Sequence, residues 1–114
     1  MKKKYRIKKS NEIQQLMSKK KTVGNSYFIL YHESKPENEN FRYAISASKK
    51  YGKAHERNLM KRRIREIIKV NDFNPASEFF IIAKLKSKDL SFSEVKDSIE
   101  DLFKKAKLLK ERVK

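Results

Sequence analysis

Residues 79–85, FFIIAKL, run through five apolar positions before the first polar one at Lys84. Successive side chains of a strand point to opposite faces of a sheet, so a strand without alternation has both faces covered. This segment therefore predicts a central strand with a packed layer on each side, and the rest of the chain must supply those layers.

The flanking segments do so. SNEIQQLMSKKK, residues 10–21, offers Ser10 or Asn11 as an N-cap, Gln14 in capping-box position and Ile13, Leu16 and Met17 on one helical face. SYFILYH (26–32) is aromatic and β-branched, and FRYAISAS (41–48) alternates Phe41, Tyr43, Ile45 and Ala47 against Arg42, Ala44, Ser46 and Ser48. Both read as strands, and the polar, Pro-containing ESKPENEN between them suits a hairpin loop. Gly52 breaks the second strand ahead of a helix running to about Val70, and NDFNPASE interrupts that helix. LSFSEVKDSIEDLFKKAKLLK has a capping box at Ser91 and Glu94, a staple pair at Leu90 and Val95, and Val95, Ile99, Leu102, Phe103 and Ala106 at helical spacing. The predicted order is α-β-β-α-β-α: a single α+β domain spanning residues 1–114, an α/β sandwich of mixed sheet and about three helices. Residues 1–9 hold six basic side chains and no acid, and read as an arm that is mobile or ordered by a partner.

Thirty Lys and Arg against fourteen Asp and Glu give a net charge of +16, while 38% apolar residues are enough for a folded core. Self-repulsion at that charge favours a polyanionic partner, either nucleic acid or an anionic membrane. No stretch approaches the roughly 18 apolar residues that cross a bilayer, and the basic N-terminus is not followed by the apolar run of a secretory signal. A cytoplasmic, membrane-free protein is expected. The absence of cysteine excludes a disulfide framework, a thiol nucleophile and a thiolate metal site.

The charge is concentrated in KAHERNLMKRRIREII, residues 53–68. At about 100° per residue, Met60, Ile64, Ile67 and Ile68 share a sector about 100° wide, with Arg57 at its seam. Lys61, Arg65, Asn58, Lys69 and Arg62 follow in a continuous polar arc, approached by Lys49, Lys50 and Lys53. The bland reading is a solvated helix face, but such faces mix signs, and here only Glu56 and Glu66 oppose nine cations. In the last helix, Glu100 with Lys104 and Asp101 with Lys105 make that mixed pattern. Arginine adds bidentate phosphate geometry that lysine lacks.

RYAISASKKYGKAHERNLMKRRIREI strongly resembles the signature region of the bacterial ribonuclease P protein component: a strand, an S.KK.G.A segment and an Arg-Asn-Arg helix followed by Lys-Arg and Arg. SNEIQQLM, SYFILYH, FFIIAKL and FSEVKDSIEDLFKKA are similar to its first helix, first strand, later strand and last helix. The resemblance implies a left-handed βαβ crossover. It also implies an accessory subunit, monomeric without RNA, that joins a Mg²⁺-requiring catalytic RNA and helps it hold precursor tRNA for removal of the 5′ leader. It places Lys49, Lys50, Lys53, Arg57, Asn58, Lys61, Arg62 and Arg65 against RNA. Leu59 stands where the motif has its second arginine, and Arg63 takes over that contact only if the RNA wraps its flank. A leader cleft between the first helix and the sheet would by position use Ile13, Met17, Tyr31 and Ser46, although the three apolar side chains among these also suit ordinary core.

Catalytic patterns are missing from the chain: no Walker, Ser-His-acid, zinc or paired-His nuclease arrangement occurs. Glu94, Asp97, Glu100 and Asp101 could hold Mg²⁺ but suit a solvated helix face, and His55 has no visible acid–base partner. No catalytic residue, no metal ligand and no cofactor of the protein's own is expected. The rival is a structural RNA binder of the ribosomal-protein type with no role in cleavage. A membrane-surface protein is a poorer reading because the apolar face of the basic helix is committed to the core.

Overall fold

The central strand is flanked on both sides. In the computed structural model, which describes residues 5–7, 10–18, 21–48 and 51–110, strand β4 (Ser77–Ala83) lies between β2 (Phe28–Ser34) and β3 (Arg42–Ala47), and a short β1 (Thr22–Gly24) completes the order β1-β2-β4-β3. β4 runs antiparallel to β2 and parallel to β3, with Tyr31 opposite Phe80 and Ile45 opposite Ile81. The sheet is therefore mixed. Helices α1 (Ser10–Ser18), α2 (Ala54–Lys69) and α3 (Phe92–Lys105) and a 3₁₀ turn (Leu85–Asp89) complete the described elements. α2 makes the crossover between the parallel strands β3 and β4.

Two corrections follow from this topology. β2 and β3 do not form a hairpin, because β4 inserts between them; side by side they would leave the most apolar strand at an edge. The described order also contains one strand more than predicted. β1 pairs with β2 through Thr22–Tyr31, Val23–Leu30 and Gly24–Ile29. Its turn is held by Asn25, whose Oδ1 accepts from the Tyr27 and Phe28 amides at 2.8 and 2.9 Å.

Alternate residues of β4 enter two cores. Phe79, Ile81 and Ala83 meet Phe28, Leu30, Tyr43 and the apolar faces of α2 and α3. Phe80 meets Leu16 of α1, Ala44 and Ile7 on the opposite face. Phe79 also joins an aromatic cluster, 5.0 Å from Phe73 and 5.5 Å from Phe103 between ring centroids. The capping box opens α3 as predicted: Ser91 Oγ accepts from the Glu94 amide and Glu94 Oε1 from the Ser91 amide. Hydrogen bonding from Ser91 holds the Glu94 carboxyl below the usual carboxylate range. Asp101 pairs with Lys105 at 3.1 Å, whereas Glu100 accepts from Asn71 Nδ2 at 2.8 Å and ties α3 to the end of α2.

Within the basic N-terminal stretch, Tyr5 stacks on Phe41 at 4.8 Å, Arg6 bridges to Tyr43 and the buried Ile7 donates its amide to the Tyr43 carbonyl at 2.8 Å. These residues extend the sheet beside β3. Residues 1–4 and 8–9 of the arm lie outside the described residues. No described helix is long and apolar enough to cross a membrane.

α2 supplies an internal comparison. Ile64 is fully buried and Leu59 is 44% exposed on the same helix. Ile64→Ala should cost about 2–5 kcal/mol in urea unfolding, whereas Leu59→Ala should stay within about 0.5 kcal/mol of wild type.

Candidate nucleic-acid interface

α2 is amphipathic by the spacing of its isoleucines. Met60, Ile64, Ile67 and Ile68 are its buried residues and fix which side faces outward. Asn58, Lys61 and Arg65, three and four residues apart, share one flank. With Arg6, Ile7, Ile13 of α1, residues 43–46 of β3 and Phe80, they line a groove of about 500 Å³. The floor is the outer edge of β3, one wall is α2, and Ile13 brings in α1.

Among the described residues, Arg6, Lys61 and Arg65 give this groove three cations, and no Asp or Glu lines it. The acids nearby are drawn elsewhere. Glu56, in the first turn of α2, pairs with Lys88 of the 3₁₀ turn at 2.6 Å. The hydrogen bond from Lys88 holds the Glu56 carboxyl below its usual range and raises the Lys88 ammonium. Gly52 makes that approach possible: its φ is +136°, and a Cβ there would lie 2.8 Å from Glu56 Oε2. Glu12 and Glu78 both engage Arg42, at 2.8 and 3.7 Å.

The start of α2 already holds an acid. Lys53 is the N-cap and makes no side-chain capping bond, and the Glu56 carboxylate in the first turn accepts a hydrogen bond from the Lys53 amide. Arg57 is half-buried at the seam, as its phase predicts, and its Nε is buried without a hydrogen-bond partner among the described residues.

The predicted site residues divide between the groove and its surroundings. Asn58, Lys61 and Arg65 line it together with Ile13 and Ser46, so part of the basic arc and part of the expected leader cleft form one feature. Arg62 and Lys53 are exposed outside it, and Lys49 and Lys50 lie outside the described residues. Met17 is exposed on α1 and does not line the groove. Tyr31 is on β2, with β4 between it and β3, and its ring stacks on Phe80 at 6.3 Å beneath the α1 layer. Of the groove residues absent from the predicted set, Arg6 and Tyr43 carry polar side chains. Arg6 reads in sequence as one charge of a basic arm, and Tyr43 as a core position; only their pairing across the β3 edge places them here.

The profile of the family described as Ribonuclease P matches residues 1–107 of this sequence. The chain belongs to the ribonuclease P protein family. It is 45% identical to the ribonuclease P protein component of Phytoplasma australiense over 96% of each chain. It is 40% identical to that of a Geobacillus species over the full length of both. The solved RNase P protein of Staphylococcus aureus superposes with a TM-score of 0.85 at 37% identity, covering 93% of this chain and 98% of that one. The ribonuclease P resemblance of the central motif thus extends to the fold, including the α+β sandwich around β4.

The charge of the groove together with the surrounding basic surface generates a salt dependence. If about six phosphates are neutralised, RNA affinity should fall with salt at a log–log slope of about −4 to −5. Arg65→Ala should reduce the magnitude of that slope by about 1 and weaken binding by about 1–3 kcal/mol, read from titrations at several salt concentrations. A slope near zero would remove the electrostatic basis of the site.

Proposed function

We propose that this chain is the protein subunit of ribonuclease P that joins the catalytic RNA and positions the 5′ leader of precursor tRNA for endonucleolytic removal. Family membership supplies the enzyme. The groove lined by Arg6, Lys61 and Arg65, with no acid among its described residues, carries the assignment of the leader.

In this reading the two parts of α2 have different duties. Arg57, Arg62 and Lys53, with Lys49 and Lys50, face the catalytic RNA, while Asn58, Lys61 and Arg65 hold the single strand over β3. Ile13 and Ser46 give the strand an apolar and a hydroxyl contact within the same groove. The hydrolysis belongs to Mg²⁺ ions held by the RNA. The chain's own contribution is electrostatic: its fixed cations replace part of the screening that free Mg²⁺ provides, and so lower the concentration the RNA needs. The subunit acts in the cytoplasm and is monomeric before it meets RNA.

Cleavage of precursor tRNA by a bacterial ribonuclease P RNA at low Mg²⁺, with and without this protein, tests the proposal. Stimulation is expected only when both are present, with the Mg²⁺ midpoint shifted downward. Cleavage by the protein alone would make it a self-sufficient nuclease. Tight RNA binding that leaves cleavage unchanged would make it a structural RNA binder instead.

A further inference from the structure

Two buried side-chain donors have no hydrogen-bond partner among the described residues, the Tyr43 hydroxyl and Arg57 Nε. They are not equivalent. A guanidinium has further N–H groups to satisfy, whereas the hydroxyl is all the polar capacity that Tyr43 has. Tyr43 is 1% exposed, and its ring packs 6.0 Å from Phe79 and 6.3 Å from Phe41 in stacked geometry. That stacking needs no hydroxyl: phenylalanine would fill the same space, and an unsatisfied buried hydroxyl costs stability.

What surrounds the hydroxyl indicates what it lacks. Tyr43 lines the groove, and so do Arg6 and Arg65, whose charges both act on its phenol. Burial outweighs those charges and pushes the phenol above its ordinary range, so at neutral pH it is a protonated donor. Guanidinium groups donate and cannot accept. The side-chain acceptors of the groove, on Ser46 and Asn58, do not pair with it. An anionic oxygen brought in from outside the chain would complete it.

We propose that the Tyr43 hydroxyl is a strand-binding group, donating a hydrogen bond to a phosphate oxygen of single-stranded RNA drawn between Arg6 and Arg65. This rests on the assignment of the groove to the leader. Arg6 is exposed and Arg65 half-exposed, so both guanidinium groups can reach a phosphate held in the groove. The free protein keeps a polar group unsatisfied that the bound strand satisfies.

The test compares Tyr43→Phe, Lys61→Ala and Arg65→Ala with wild type, each assembled with a bacterial ribonuclease P RNA. Affinity is measured for a precursor tRNA carrying a single-stranded leader and for the same tRNA without one. Tyr43→Phe should reduce the leader's contribution to affinity about tenfold, the scale of a hydrogen bond to a charged group, and leave leaderless tRNA unaffected. Its urea midpoint without RNA should equal or exceed that of wild type. An unchanged leader contribution, or a lowered urea midpoint showing that the hydroxyl is satisfied in the free protein, would overturn the role of Tyr43. If Lys61→Ala and Arg65→Ala lose leader affinity while Tyr43→Phe keeps it, the groove assignment stands without Tyr43. If none of the three loses it, the groove assignment fails as well.

Discussion

Burial of β4 on both faces is the constraint from which the rest of the structure follows. A strand that runs Phe79, Phe80, Ile81, Ile82, Ala83 without a polar residue needs a neighbour on each edge and a helical layer above and below. β2 and β3 take the edges, α2 and α3 cover one face, and α1 with Ile7 covers the other. Because β3 is parallel to β4, the chain must cross over between them, and α2 is that crossover. The basic helix is thus anchored through Met60, Ile64, Ile67 and Ile68, and its cationic flank is left beside the open edge of β3. The site is a by-product of how the core closes.

The second organising effect is the disposal of negative charge. With a net charge of +16 the described acids could have been scattered among the cations to reduce repulsion. Several are instead committed to structural partners away from the groove. Glu78, 1% exposed on β4, accepts from Asn38 Nδ2 at 2.7 Å and faces Lys35 and Arg42 at 3.5 and 3.7 Å. Such a buried carboxylate is tolerable because several donors surround it. Arg42 is shared with Glu12, which ties α1 to the sheet and holds Ile13 at the groove. The same contacts that neutralise these acids therefore fix the groove's wall.

Much of this was legible in sequence where the signal is periodic. The central strand, the phase of α2 with Arg57 at its seam, and the α3 capping box follow from local spacing, because burial of a helix face or a strand is written every few residues. Strand neighbours are not. The loop ESKPENEN has hairpin chemistry, yet the pairing of β2 is decided by the need of β4 for two edges, which acts across more than forty positions of chain: Phe28 meets Ala83. β1 has only three residues and no room for a pattern. The groove suffers from the same limit. Asn58, Lys61 and Arg65 were legible from the helix wheel, whereas Arg6 enters through a bridge to Tyr43, and Tyr31 and Met17 leave because the floor is β3 and not β2.

An open sheet edge is ordinarily a hazard, since unpaired backbone groups invite another strand. β3 is such an edge, and among the described residues only Arg6 bridges to it. The Tyr43 carbonyl points outward to Ile7, and by the two-residue period of a strand the N–H and C=O of Ile45 point the same way. Lys61 and Arg65 stand over this edge. Charge at an edge repels a second copy carrying the same cations, yet it attracts a phosphate chain, whose bases and sugars can use the backbone groups that a β-strand would have taken. The same cations therefore work against strand pairing at this edge and toward a polyanion.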